Sequence, residues 1–266
     1  MNEFAASLAI GFSSGVLSGA FGIGGGIVTT PAIKILLGAP ALVAVGTPLP
    51  VILPAAITGA VTYARNGVAD IRAGVTCGIA GSLTAVLGAW ATSLVGGDVV
   101  LLATAALILY AAADMALQAF RPRPAPPVPP APAEEPVALS PANRHNELVV
   151  IGAVAGLYSG FLGLGGGFVL VPLLTRWLRF GMKRAIATSL VAVAILSIPG
   201  TLTHAYLGHI DWGIALPLAL GVIPGAILGA RLTLGASERV VRIAFSVLLL
   251  VTGVWLAASE LPGLLS

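Results

Sequence analysis

Two glycine clusters are the residues of this chain best suited to chemistry. They are Gly22-Ile23-Gly24-Gly25-Gly26 and Gly163-Leu164-Gly165-Gly166-Gly167, and each is followed by a proline, Pro31 or Pro172, five residues after its last glycine. Glycine and proline interrupt helical hydrogen bonding, so both clusters and both prolines read as helix breaks. Where a helix restarts after such a break, its first N–H groups lack partners and carry the positive end of the helix dipole. That end attracts an anion without any charged side chain, and the missing Cβ lets a ligand approach the backbone closely. The competing reading is close helix packing through small residues. It suits the isolated pairs Gly15/Gly19 and Gly156/Gly160 better than the triple clusters, for which a binding or gating role is expected.

Hydroxyl groups follow both clusters. Thr47-Pro48 and Thr188-Ser189 occupy matching positions early in the next helix. Such hydroxyls either cap a helix or hydrogen-bond an oxyanion. Tyr63, Arg65, His204 and Tyr206 stand at the ends of those helices. The tyrosines suit aromatic anchors and Arg65 a positive-inside anchor. His204, Tyr63 and Arg65 are also the candidates for proton coupling or gating. Asp70 and Asp211 each precede a helix and suit N-caps. No His/Cys/Asp/Glu grouping has metal-ligand spacing, and no metal or cofactor is expected. Ser159-Gly160 with a later His204 does not make a protease, because the spacing is Gly156-Leu157-Tyr158-Ser159 and Ser18 repeats Ser159 in the other half. The chain is not expected to be an enzyme.

The segments that carry these residues are hydrophobic throughout. The 266-residue chain is 58% hydrophobic and 9% charged, with mean hydropathy +1.03. Soluble domains carry about 25% charged residues, so this is an integral membrane protein whose partner is the lipid bilayer. Its net charge of +3 reports membrane orientation rather than affinity for nucleic acid. Met1-Asn2-Glu3 lacks the positive n-region of a signal peptide, so the first apolar segment is expected to be retained. The single cysteine, Cys77, lies in an apolar stretch and reads as a small core residue. Eight apolar segments can be marked, at 4–37, 42–64, 71–95, 98–119, 147–178, 185–207, 211–233 and 239–259. Those at 4–37 and 147–178 are too long for one straight span and hold the glycine clusters near their middles. Each is two half-helices joined at the glycines, or one long broken helix.

The halves are duplicates at an offset of 141 residues. Between 15–31 and 156–172, 9 of 17 positions are identical, and the register continues through Thr47/Thr188, Gly59/Gly200, Gly67/Gly208, Asp70/Asp211 and Gly88/Gly229. The proline-rich stretch between the halves cannot form a helix and reads as a linker. The expected domains are a first transmembrane repeat at 1–120, a Pro-rich cytoplasmic linker at 121–146 and a second transmembrane repeat at 147–266. Basic residues alternate between matched loops. Lys34 stands alone against Arg176, Arg179, Lys183 and Arg184; Arg65 and Arg72 stand against none; and none stands against Arg231, Arg239 and Arg242. By the positive-inside rule matched loops face opposite sides. The expected fold is therefore an all-α membrane protein of two inverted repeats. Each is a broken glycine-containing hairpin plus three transmembrane helices, with both termini non-cytoplasmic.

The pattern G-x-x-S-G-x-x-G-x-G-G-G-x-x-x-x-P, present at Gly15–Pro31 and again at Gly156–Pro172, resembles the TauE/SafE sulfite exporter family, also called the toluene-sulfonate uptake permease family. Nearly the whole chain outside the linker takes part in the resemblance. It implies secondary transport, often outward, of small sulfur-containing anions such as sulfite or sulfoacetate across the cell (inner) membrane, with a proton as a candidate coupling ion. On that basis the substrate-binding residues are Gly22, Gly24, Gly25, Gly26, Thr47, Gly163, Gly165, Gly166, Gly167, Thr188 and Ser189. The Thr47-Pro48 step departs from Thr188-Ser189, so one half offers fewer hydroxyls. The alternatives are an anion or small-solute channel and a membrane scaffold without flux. The sequence leaves the oligomeric state open.

Overall fold

The computed structural model describes residues 3–92, 97–120, 141–162, 165–206 and 208–265. Most of these residues are helical, with no strand among them. The first half contributes α1 (Glu3–Phe21), α2 (Gly26–Leu36), α3 (Ala41–Gly46), α4 (Pro48–Arg65), α5 (Ile71–Thr92) and α6 (Gly97–Phe120). The second contributes α7 (Pro141–Leu162), α8 (Gly167–Arg176), α9 (Met182–Tyr206), α10 (Trp212–Gly235) and α11 (Glu238–Leu265). Most of the linker, residues 121–140, lies outside the described residues, and α7 begins at Pro141. Among the described residues four helices are long and apolar enough to cross a membrane: Glu3–Phe21, Ile71–Gly88, Met182–Tyr206 and Trp212–Gly235.

Both glycine-containing segments are two helices, not one bent helix. α2 has 11 residues and α8 has 10. At 1.5 Å per residue each reaches about 16 Å, half of a ~30 Å hydrocarbon layer. The breaks fall at the glycines. Pro31 and Pro172, expected to mark breaks, instead lie inside α2 and α8. The reason is local: Gly22, Gly24, Gly25, Gly165 and Gly166 have φ between 69° and 82°, a left-handed region that a right-handed helix cannot continue through. The two halves also differ. α9 is continuous, while its counterpart is divided into α3 and α4 at Thr47-Pro48. Pro48 lacks the N–H that a continuous helix would need there and is suited to the first turn of α4.

The duplicated halves are interlocked rather than side by side. α1 packs on α10, and the matching α7 packs on α5. In both pairs the helices run parallel and touch through glycine. A Cβ on Gly11, Gly15 or Gly19 would collide with the backbone of Leu218, Val222 or Ala226. A Cβ on Gly152, Gly156 or Gly160 would collide with that of Cys77, Gly81 or Ala85. Each contact of the second set is the first shifted by the 141-residue repeat. Glycines four apart lie on one helix face, which lets two backbones approach along a line. α4 and α9 run antiparallel between these pairs, and α6 packs on α11.

This arrangement gives the bundle two ends, marked by Asp70 and Asp211. α1 begins at the Asp211 end beside α10, and α2 returns towards it: Ser14 Oγ lies 2.6 Å from Thr29 Oγ1, and Ile10 faces Ala32 across a groove. α7 begins at the Asp70 end, and the chain after α8 returns there, with Arg144 5.9 Å above the Phe180 ring. The hairpins thus enter from opposite ends and meet in the interior. Replacing Gly156 with alanine is expected to lower stability by about 1–3 kcal/mol through overpacking. Gly235→Ala, where nothing lies within 4 Å, should be neutral or slightly stabilising. Melting curves of the detergent-solubilised variants check this.

Candidate functional site

The tips of the two hairpins touch. Gly167 has its Cα side against the Gly22 carbonyl, and a Cβ there would lie 2.8 Å from Ile23 Cα. Gly24 faces Val193 and Ile52, and a Cβ on it would lie 2.9 Å and 3.1 Å from their side chains; Gly165 faces Ile52 and the Ile23 carbonyl. Ile52 and Val193 are repeat partners, so an apolar layer from α4 and α9 lies beside the crossing. Gly25 and Gly166 occupy the N-cap positions of α2 and α8, and neither helix has a side-chain cap. Their carbonyls accept from Val28 and Thr29, and from Val169 and Leu170. The first N–H groups of each helix have no intrahelical acceptor. Two dipole-positive helix ends therefore face the same buried region. Gly163 lies outside the described residues.

The expected hydroxyl donors are arranged differently. Thr47 and Thr188 are fully buried. Thr47 Oγ1 accepts from the Asp211 N–H at 3.1 Å, and Thr188 Oγ1 accepts from the Asp70 N–H at 3.3 Å. Each bond joins the start of one repeat's second helix to the start of the other repeat's third. Ser189 does reach a tip, donating to the Gly22 carbonyl at 3.1 Å and to its own Ile186 carbonyl at 2.8 Å. In the first tip Ser14 and Thr29 both donate to the Gly25 carbonyl. Their repeat partners are Ala155 and Leu170, so the second tip lacks this brace.

The aspartates cap, as their positions imply. Asp211 accepts from Gly213 and Ile214 N–H, and Asp70 from Ala73 N–H. Asp70 also bonds Arg144 at 2.8 Å and Arg184 at 2.7 Å, and Arg184 stacks on Phe180 at 4.3 Å. Burial works to raise the Asp70 pKa, but the Ala73 N–H and the two arginines outweigh it and hold the carboxyl below its ordinary value. Asp114, close to the end of α6, pairs with Arg176 at 2.7 Å. Arg65 is exposed at the same end. Indeed the basic residues of the described segments gather at the Asp70 end, Lys34 of α2 excepted.

A cavity of about 200 Å³ reaches from the second tip towards the Asp211 end. Gly165 and Ser159 line it at the second tip and His204 towards the Asp211 end, with Leu49, Leu196 and Gly200 among its walls. The His204 ring meets His209 edge-on at 5.4 Å, and both Nδ1 atoms are buried without a hydrogen-bond partner. The repeat partners of this lining are closed. Tyr63, the partner of His204, is fully buried and donates to the Gly19 carbonyl at 2.9 Å. Leu190, the partner of Leu49, fills the space over Gly59. Tyr63 is therefore an interior residue rather than an interfacial anchor, whereas Tyr206 is exposed. Sequence reasoning did not single out Ile52, Val193 or this asymmetry. The signal for Ser159 was present in its duplication by Ser18.

A multi-helix bundle with two half-length helices that break at membrane depth is the architecture of a polytopic membrane transporter. Residues 7–256 match the family described as sulfite exporter TauE/SafE, and the chain belongs to that family. It is 25% identical to the probable membrane transporter protein YunE of Bacillus subtilis over 94% of this chain and 96% of that protein. It is 28% identical to a probable membrane transporter protein of Xylella fastidiosa over 92% and 90% of the two chains. It is 26% identical to the probable membrane transporter protein MJ0441 of Methanocaldococcus jannaschii over 93% and 92%. No solved structure matches the chain significantly.

The Asp70 cluster generates a pH prediction. A carboxyl whose folded-state pKa is depressed contributes stability above its unfolded value, about 4, and loses it as pH falls through the folded value. Asp70→Asn should lower the melting temperature at neutral pH, and the gap from the natural protein should close in acid below that value. Asp211→Asn, which loses a cap but no ion pair, should cost less. Melting curves from pH 7 down to pH 3 test both.

Proposed function

We propose that this protein is a secondary transporter that moves small sulfur-containing anions, sulfite or an organosulfonate such as sulfoacetate, outward across the cytoplasmic membrane by alternating access. The observation that carries the reading is the unequal state of two repeat-related regions: a cavity between the second tip and His204, and packed side chains between the first tip and Tyr63. Duplicated halves that adopt two different packings are what alternating access needs. In the opposite state Tyr63 would leave the Gly19 carbonyl and the first tip would open.

The basic end of the bundle is the cytoplasmic end in this reading. The repeats are then inverted across the membrane, the linker is cytoplasmic and both termini face away from the cytoplasm. The cavity beside His204 is the outward-facing one. The ligand is held at the crossing of the tips, where Gly22 and Gly24–Gly26 on one side, and Gly165–Gly167 on the other, offer backbone N–H groups. Neutral donors suit an anion that must also be released, since a buried full charge would bind it too firmly. Thr47, Thr188 and Ser189 hold these donors in position through the bonds they make to the opposite repeat. Tyr63 acts as the gate at the cytoplasmic side and His204 as the proton-coupling group towards the outer end; Arg65 anchors the cytoplasmic end of α4. The family suggests a small solute, and the neutral, dipole-positive tips favour an anion within that class.

Flux in proteoliposomes decides the matter. Radiolabelled sulfite or sulfoacetate is expected to accumulate against its gradient when a pH difference or membrane potential is imposed, and uptake should saturate. Unsaturable flux indifferent to either gradient would make the protein a channel. Gly25→Leu and Gly166→Leu are expected to abolish transport while leaving membrane insertion intact, because both positions have positive φ and abut side chains of the preceding helix. Normal flux in both variants would remove the tips from the mechanism. Tyr63→Phe, which loses the hydroxyl's bonds to the Gly19 carbonyl and the Thr233 side chain, should shift labelling of cysteine probes on the cytoplasmic side towards an open state.

A further inference from the structure

Of the hydroxyls around the tips, Ser189 is committed to two carbonyls, while Thr47 and Thr188 bond the aspartate N–H groups between the repeats and are not among the residues that line the cavity. Ser197, on the cavity wall, donates to the Ala194 carbonyl of its own helix. Ser159 differs from all of these. It is 8% exposed, lines the cavity together with Gly165, and has no hydrogen-bond partner among the described residues. A Cβ on Gly166 would lie 3.4 Å from Ser159 Oγ. The hydroxyl therefore sits against the N-cap of α8, a helix of 10 residues with no side-chain cap.

Its repeat partner is sealed in the interior instead. Ser18 is fully buried and its Oγ has no partner, and a Cβ on Gly25 would lie 3.6 Å from Ser18 Cβ. Helical serines usually discharge their hydroxyl on a carbonyl of the preceding turn, as Ser197 does here. A buried hydroxyl left unpaired is destabilising. Ser18 carries that cost, while Ser159, its counterpart beside the uncapped start of α8, lines the cavity.

We propose that Ser159 and the N-terminus of α8 form the anion-binding end of the cavity, with the Ser159 hydroxyl donating to one oxygen of a small oxyanion and the α8 N–H groups to others. The inference rests on the transport reading above and names the residue that contacts the substrate in this state of the protein. An oxyanion supplies what the site lacks: several acceptors, no donor, and a negative charge at a dipole-positive helix end. Apolar walls such as Leu49 and Leu196 strengthen those bonds by excluding water. Ser18 takes the same part when the other end opens. It is closed off here, with its cavity counterpart filled by Tyr63 and Leu190.

The test uses the full chain in lipid nanodiscs and calorimetric titration with sodium sulfite, sodium thiosulfate and sodium sulfate as separate probes. The natural protein should bind at least one of them. Ser159→Ala should weaken that anion by at least about tenfold, the loss of one bond to a charged acceptor, with the ligand-free melting temperature unchanged. Ser197→Ala should leave the affinity as it is. Unchanged affinity in Ser159→Ala overturns the role of the serine and leaves the transport reading standing. Failure of the natural protein to bind any of the three anions overturns the proposed oxyanion site, and failure to bind sodium sulfoacetate as well overturns the transport reading. Should Ser159→Ala not fold, Ser159→Cys gives a second route. Its alkylation should slow about tenfold with sulfite at ten times its Kd, while the buried Cys77 stays silent; labelling indifferent to all three anions overturns the proposal.

Discussion

A helix that stops in the middle of a membrane leaves its first N–H groups without partners, and lipid offers none. Everything else in this bundle follows from accommodating two such stops. The glycine tips must be enclosed by protein or by a wet cavity. Both conditions are met where the tips of α1–α2 and α7–α8 meet, between α4 and α9. Neither half encloses its own tip. Ser189 of the second repeat bonds the Gly22 carbonyl of the first, and Ile52 of the first repeat covers Gly165 of the second. The crossing of the tips exists only because the duplicated halves are interlocked.

The interlock depends on how closely helices can approach. Glycine at 11, 15 and 19, and at 152, 156 and 160, brings α1 onto α10 and α7 onto α5 with backbone in contact. That proximity lets Thr47 and Thr188 reach across to the amides of Asp211 and Asp70. The same residues that read as generic small-residue packing are thus what hold the tips in register. The threonines read equally as caps or as ligand groups from sequence; the structure gives them a third part, as struts between repeats.

Departures from symmetry carry the functional information. The first tip is braced by Ser14 and Thr29, while Ala155 and Leu170 leave the second without that brace. The cavity lies beside the unbraced tip. At the far ends, Asp70 gathers two arginines and Asp211 none among the described residues, which gives one end of the bundle a firm ionic clasp.

Read alone, the chain already specifies the membrane class, the duplication, the two helix interruptions and the capping aspartates. Each is a local or compositional property: hydropathy counts residues, a 141-residue offset compares them, and a glycine cluster ends a helix wherever it occurs. What those elements touch was settled by the fold. Pro31 and Pro172 proved to lie within helices because the left-handed glycines before them had already made the break. Tyr63 and His204 occupy matched positions, yet one is buried against a carbonyl and the other lines a cavity. Leu190 packs more closely over Gly59 than its counterpart Leu49 does over Gly200. Ser159 became distinguishable from Ser189 only once their partners were known. Hydrogen-bond satisfaction is a relation between residues remote in the chain, and one sequence contains no term for it.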